Sequence, residues 1–256
     1  MIKIQNLTKQ FGNFTAVDNL SLEVPRGELF CFLGPNGAGK TTTIKVLTGL
    51  LKPTSGQLHI DGKNIVTNPK EAKKIMGYVP DMPFLYERLT PDEFLAFIGN
   101  LYDLPEDIQN SRKEELLEQF GLAKYRNSLI KDFSHGMRQR LIYAATFLHR
   151  PRCLFVDEPL IGLDPYTIRL LKNMLRKYAA DGMTIFLTTH ILALAQDIAD
   201  RIGIILEGRL IALGSFPELQ KKTKGRSLED IFIQMTTGDK PETGGTGNVG
   251  IFGPRT

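Results

Sequence analysis

Residues 34–41, Gly34-Pro35-Asn36-Gly37-Ala38-Gly39-Lys40-Thr41, spell the pattern G-x-x-x-x-G-K-[ST]. The apolar run Leu29-Phe30-Cys31-Phe32-Leu33 precedes them, and a helical pattern carrying Ile44, Leu47 and Leu51 follows. A strand, a glycine-rich turn and a helix in that order make a phosphate-binding loop. The glycines let successive backbone N–H groups turn inward on an anion, and the helix directs its N-terminus at the same point. Lys40 is placed to reach the β- and γ-phosphates, and the Thr41 hydroxyl to ligate Mg²⁺. Residues Gly34 to Thr41, with Thr42 behind them, form the expected nucleotide-binding stretch. The chain is read as binding a nucleoside triphosphate.

Two further apolar runs resemble Leu29–Leu33. Cys153-Leu154-Phe155-Val156 ends at Asp157-Glu158, and Thr184-Ile185-Phe186-Leu187 ends at Thr188-Thr189-His190. Unbroken apolar runs suit strands covered on both faces, as in a parallel sheet between helices. Helical patterns lie between them, for instance Ile168, Leu171, Leu175 and Tyr178 on one face. In such sheets ligands sit beyond the carboxyl ends of the strands. The expectation is therefore that three strand ends converge on one Mg²⁺–polyphosphate. Asp157 is the expected partner of the hard cation, directly or through water. Glu158 projects differently and can orient an attacking water or take its proton. His190 is expected to hydrogen-bond the γ-phosphate or that water. Taken singly, an Asp-Glu pair reads as a solvated turn and a lone His as structural. Beside a phosphate-binding loop the catalytic reading is preferred.

With these residues in place, the chain resembles the ATP-hydrolysing subunit of ABC transporters over roughly residues 1–235. Phe133-Ser134-His135-Gly136-Met137-Arg138-Gln139-Arg140 resembles the family signature L-S-G-G-Q-x-Q-R. Gly162-Leu163-Asp164-Pro165 resembles the D-loop, and His190 the switch histidine. Phe11 stands where the family stacks an aromatic on adenine, and Ala16 where a small residue lines the base. Asp81, in Gly77-Tyr78-Val79-Pro80-Asp81, stands in place of the Q-loop glutamine and is counted with Thr41 and Asp157 as a metal-site residue.

The resemblance implies an α/β fold: a mostly parallel core sheet, an N-terminal antiparallel β subdomain and an inserted α-helical subdomain at about 82–150. It implies a head-to-tail pair of such subunits, taken as a homodimer, with two ATP molecules between them. Ser134, His135, Gly136 and Met137 of one copy, with the N-terminus of a helix carrying Leu141, Ala144, Ala145 and Leu148, would address the ATP of the other. Hydrolysis would drive a separate integral-membrane permease. His135 and Met137 depart from the family pattern, as does Asp81. Met at the last signature position belongs to an exporter-like branch, so export is the expected direction.

Between Asp81 and the signature, Phe84, Leu85, Tyr86, Phe94, Phe97 and Tyr102 are expected to be mostly core, with some lining a groove for a short helix of the membrane partner. Glu115–Phe120 reads as an amphipathic helix stopped at Gly121. Ile202–Leu206 and Arg209–Leu213 read as a hairpin turning at Glu207-Gly208. Residues 236–256 are poor in apolar anchors and are expected to be flexible.

Composition bounds the reading. The chain has 256 residues, 42 % hydrophobic and 23 % charged, as in ordinary globular α/β proteins. A formal charge of +4, from 32 basic and 28 acidic residues, is too small to point to nucleic acid. Cys31 and Cys153 sit in apolar runs and read as buried thiols. No apolar run approaches the ~20 residues of a membrane-spanning helix, so the expected location is peripheral, at the cytoplasmic face of the membrane. A second class stays open: soluble ABC ATPases acting on nucleic acid or ribosomes. Those insert coiled-coil or zinc modules, whereas only about 90 residues separate the phosphate loop from the signature here. A regulatory ATP sensor without turnover is a third, disfavoured by Glu158 and His190, and a phosphotransferase would make the signature accidental.

Overall fold

Every residue of the segment Leu29–Leu33 is buried in the computed structural model, which describes residues 1–82, 84–160, 163–222, 229, 230 and 232. Ten strands follow in chain order: β1 (Ile2–Phe11), β2 (Phe14–Val24), β3 (Leu29–Leu33), β4 (Ser55–Ile60), β5 (Lys63–Asn64), β6 (Met76–Val79), β7 (Cys153–Asp157), β8 (Thr184–Thr189), β9 (Arg201–Leu206) and β10 (Arg209–Gly214). They form an antiparallel sheet ordered β2-β1-β4-β5 and a larger sheet ordered β10-β9-β3-β8-β7-β6. In the larger sheet every pairing is parallel except the edge pair of β9 and β10.

The larger sheet separates two apolar layers, which explains the unbroken runs. Side chains alternate across a strand, so β3 sends Leu29, Cys31 and Leu33 to one layer and Phe30 and Phe32 to the other. Strand β7 splits the same way, with Leu154 and Val156 opposite Cys153 and Phe155, and β8 sets Ile185 and Leu187 opposite Phe186. On the second face Phe30, Phe32 and Phe155 gather around Phe186, with ring centroids 5.2, 5.6 and 6.0 Å away. The antiparallel sheet covers this face with Ile2, Ile4, Leu20, Leu22 and Leu58. Asp61, in the turn after β4, pairs with Arg26 and Arg152 and so ties the antiparallel sheet to the start of β7.

Eight α-helices complete the described fold: α1 (Lys40–Leu47), α2 (Pro69–Lys74), α3 (Pro91–Leu101), α4 (Glu106–Gln119), α5 (His135–Phe147), α6 (Pro165–Ala180), α7 (Leu192–Ile198) and α8 (Phe216–Lys222). Helix α1 is shorter than its apolar pattern predicts, and Leu51 lies beyond it. Thr48 caps the helix by donating its hydroxyl to Ile44 O, and Gly49 turns the chain away at φ 68°. The stop at Gly121 (φ 63°) behaves as expected for a left-handed residue after a helix, and α6 buries Leu171 and Leu175. Helix α3 opens on a capping box of Thr90 and Glu93. The hairpin of β9 and β10 turns at Glu207 (φ 48°) and Gly208 (φ 79°), both left-handed as a tight two-residue turn requires. The segment 236–256 and Gly162 of the D-loop lie outside the described residues.

The aromatic segment is corrected. Only Leu85 and Phe94 of its six residues are buried; Phe84, Tyr86 and Phe97 are exposed and Tyr102 is half-buried. General burial preference fails here because these rings pack on one another. Tyr86 meets Phe97 edge-on at 5.3 Å and Phe84 at 6.2 Å.

Tyr143 is fully buried between Phe120 and Phe147, and its hydroxyl has no hydrogen-bond partner among the described residues. Removing an unsatisfied buried hydroxyl without changing the ring relieves a desolvation cost. Tyr143→Phe is therefore expected to raise stability by about 1 kcal/mol, seen as a higher urea midpoint at unchanged slope.

Candidate functional site

The phosphate-binding loop hangs between β3 and α1 and is shaped by its glycines. Gly39 has φ 105°, and a β-carbon there would lie 2.4 Å from Ala16 O. At Gly34 a β-carbon would meet Ile205 O at 2.5 Å. Both positions are glycine because neighbouring backbone occupies the side-chain space. At Gly37 (φ 81°) the added carbon would meet nothing within 4 Å, so this part of the loop faces open space. The hairpin turn braces the loop, since Gly208 N–H donates to Ala38 O and Asp18 N–H to Gly208 O, each at 2.9 Å. Ala16 is buried against this junction. Phe11 is 46 % exposed at the end of β1, with Lys9 Nζ 4.8 Å from its ring centre.

Three strand ends meet at the loop. Gly34 N–H donates to Thr189 O at 3.2 Å, fixing the end of β3 to the end of β8. The register sets Asp157 beside Thr188. Thr188 Oγ1 donates to Asp157 Oδ1 at 2.5 Å, and Thr41 Oγ1 donates to the same oxygen at 3.3 Å. Lys40, 5 % exposed, donates from Nζ to Gly34 O (2.9 Å) and Pro35 O (3.1 Å), and lies 3.3 Å from Glu158 Oε1. His190 Nδ1 is 3.1 Å from the same Glu158 oxygen, and His190 N–H donates to Oε2 at 3.4 Å. Lys40, Glu158 and His190 thus form one contact set and Thr41, Asp157 and Thr188 another, joined through the chain neighbours Lys40-Thr41 and Asp157-Glu158.

Glu158 holds a left-handed backbone at φ 46°, a costly conformation for a non-glycine residue and one that concentrates at functional sites. Burial raises the Asp157 carboxyl above the ordinary aspartate range. The hydroxyls of Thr188 and Thr41 pull against that shift, and the negative charges of Glu158 and Asp81 add to it. Asp81 itself is exposed just after β6. The Thr41–Asp157 pair offers a hydroxyl and a carboxylate oxygen, the hard donors a magnesium ion prefers. Among the described residues no group of three or more His, Cys, Asp or Glu side chains could hold a metal.

The signature segment sits at the start of α5 and not in this cluster. Ser134 caps α5, its Oγ accepting from Met137 N–H at 3.3 Å. Ser134 and His135 are exposed, and Gly136 and Met137 are half-buried. A β-carbon on Gly136 would lie 3.4 Å from Asp164 Oδ2. Asp164 caps α6, accepting from Thr167 N–H (3.0 Å) and Thr167 Oγ1 (2.7 Å), and these bonds hold its carboxyl below the usual range.

Sequence reasoning missed Thr188. It stands in the quoted strand end, but its part depends on the lateral pairing of β7 with β8, which no local pattern reveals. The Gly34–Thr189 bond was hidden for the same reason.

Comparison with known proteins places the geometry in a family. A family model described as ABC transporter matches residues 17–161. The chain is 39 % identical over 225 residues to the bacitracin transport ATP-binding protein BcrA of Bacillus licheniformis, covering 88 % of this chain and 72 % of that one. A solved ATP-binding subunit of an ABC transporter superposes with a TM-score of 0.86 at 32 % identity, over 92 % of this chain and 99 % of the other. A dimeric ATP-binding cassette in a post-hydrolysis state, bound to ADP and Pi, superposes with a TM-score of 0.76 at 27 % identity, over 84 % and 98 %.

The raised Asp157 carboxyl gives a pH test. Between the unfolded value of 3.8 and the raised folded value, the native state holds more protons than the unfolded state. Asp157 therefore costs stability as pH rises through that window, and the cost is complete above it. Asp157→Asn is expected to melt higher than the parent at pH 7.5 in nucleotide-free buffer, with the gain shrinking towards pH 4. Equal melting temperatures at both pH values would remove the burial argument.

Proposed function

This chain belongs to the ABC transporter family as an ATP-binding, ATP-hydrolysing subunit, and from that premise we propose how its residues divide the work. The observation that carries the proposal is the meeting of Lys40, Thr41, Asp157, Glu158 and His190 at the ends of β3, β7 and β8. Gly34 to Thr42 cradle the triphosphate, Phe11 stacks on the adenine and Ala16 lines the base. Lys40, which lies 3.3 Å from Glu158 Oε1, is assigned the β- and γ-phosphates. Glu158 orients the attacking water and takes its proton. His190, 3.1 Å from the same Glu158 oxygen that Lys40 meets, fixes that carboxylate and reaches the γ-phosphate.

Thr41 and Asp157, with Asp81 nearby, would hold Mg²⁺, which when bound neutralises charge on the phosphate oxygens. Thr188 keeps the Asp157 carboxylate aimed at the site through its 2.5 Å bond.

ATP-binding subunits of this family dimerise and work with membrane permeases. Here the second subunit is proposed to be another copy of this chain, arranged head to tail. Ser134, His135, Gly136 and Met137 of each copy would then address the ATP held by the other, and Asp164 would cross the same interface. Exposure of Ser134 and His135 at the N-terminus of α5 supports this reading. The permease is proposed to insert a short helix into an apolar groove of about 410 Å³ lined by Tyr78, Phe84, Tyr86, Phe97, Leu101 and Tyr102. Among the described residues no helix is long and apolar enough to cross a membrane. With a permease as its partner, the subunit is proposed to sit peripherally at the cytoplasmic face. Export is the proposed direction, on the branch resemblance of the signature. Residues 1–235 are taken as the ATPase domain, with 82–150 as its helical subdomain and 236–256 as a tail. No nucleic-acid partner is proposed.

Glu158→Gln tests the division of labour. The variant is expected to retain ATP binding, lose turnover by at least about 100-fold, and accumulate as an ATP-dependent dimer in size-exclusion chromatography with light scattering. Turnover near the parent rate would take Glu158 out of its assigned role.

A further inference from the structure

We propose that Glu87, acting through Arg138, is a positioning residue for the signature turn, fastening it to the segment that lines the apolar groove. The guanidinium of Arg138 makes three bonds, each to a different residue. Nη1 donates to Glu87 Oε1 at 2.5 Å, Nη2 to Lys131 O at 2.9 Å and Nε to Phe133 O at 3.1 Å. Ser134 is bracketed by these contacts, because Lys131 and Phe133 precede it and Arg138 follows one helical turn later. The Arg138 N–H also donates to Ser134 O at 2.9 Å. A planar guanidinium with fixed donor directions holds such a turn more rigidly than a single ammonium.

Glu87 is stapled from its own side as well. Lys131 N–H donates to Glu87 O at 3.0 Å, and Ile130 N–H to Leu89 O at 2.9 Å. The backbone of Glu87 therefore grips the stretch leading into Ser134, and its side chain grips the Arg138 that follows. The residue immediately before Glu87 is Tyr86, whose ring stands over Phe97 in the groove wall. A backbone displacement of Tyr86 that carries Glu87 with it must strain these bonds or move the groups they hold. Arg138 converts that displacement into a shift of Ser134, which faces the nucleotide of the opposite copy.

The inference rests on the proposed reading that Ser134 completes the opposite copy's ATP site. It adds that a pair distant from the phosphates sets how well that completion occurs. Glu87 is 56 % exposed and Arg138 27 %, so solvent screens the pair and each link is worth roughly threefold in an equilibrium constant. A symmetric dimer contains the link twice, which makes the combined effect about tenfold.

The test uses the full chain carrying Glu158→Gln, comparing the ATP concentration at half-maximal dimerisation with the affinity of dilute monomer for a fluorescent ATP analogue. Glu87→Ala is expected to raise the dimerisation midpoint about tenfold while monomer affinity stays within twofold. Glu87→Gln, which keeps an acceptor for Arg138, should recover much of the loss. Arg138→Ala should be at least as severe, and Glu87→Ala with Arg138→Ala no worse than Arg138→Ala alone, since both break one link. A purely structural role would lower monomer affinity and dimerisation together. That result overturns the inference, as do multiplying single effects or an unmoved midpoint. If the Glu158→Gln parent itself fails to dimerise with ATP, the two-copy reading falls and this inference with it.

Discussion

The lateral pairing of β3, β8 and β7 is the constraint from which the site follows. Parallel strands in this order bring their carboxyl ends to one level, and each end contributes a different chemistry. From β3 comes the loop of backbone donors, from β7 the two carboxylates, and from β8 Thr188 and His190. The Gly34–Thr189 bond and the Asp157–Thr188 bond lock the three ends together. Slipping β8 by one residue would turn Thr188 away from Asp157, because side chains alternate across a strand. Burial of every residue in β7 and β8 prevents that slip, since it would carry whole rows of apolar groups into the wrong layer.

The site holds its charged groups against one another. Lys40 and Glu158 are both buried and face one another, with His190 at the same carboxylate oxygen. An unpaired buried charge would be expensive, and the pairing of Lys40 with Glu158 offsets that cost. Asp157 is managed differently: burial raises its carboxyl, and the hydroxyls of Thr188 and Thr41 pull against that shift.

Much of this was legible before any coordinate. Gly34 to Thr41 announced itself because phosphate binding needs residue types at fixed local spacing. The apolar runs of β3, β7 and β8 gave the buried parallel sheet because covering both faces removes polar alternation. The hairpin at Glu207-Gly208 and the stop at Gly121 were readable because left-handed turns restrict residue choice. What local pattern could not supply was lateral. Thr188 had no assigned part until β7 lay beside β8, and Arg138 was one cation among many until Glu87 and Lys131 surrounded it. The aromatics at 84–102 misled for a related reason, since rings covering one another can stand at a surface that burial statistics assign to the interior. Leu51 was placed in a helix by its spacing, although Thr48 and Gly49 had already closed it.

Glu158 sits in a backbone conformation that glycine would adopt without strain. The fold thus keeps an unfavourable main-chain angle at the carboxylate proposed to orient the attacking water. Selection for robustness alone would drift this site towards glycine or asparagine, easing the chain while silencing it. A laboratory search for heat-resistant versions of this protein should therefore screen for turnover in the same round, because the easiest local relief lies at the residue it can least spare.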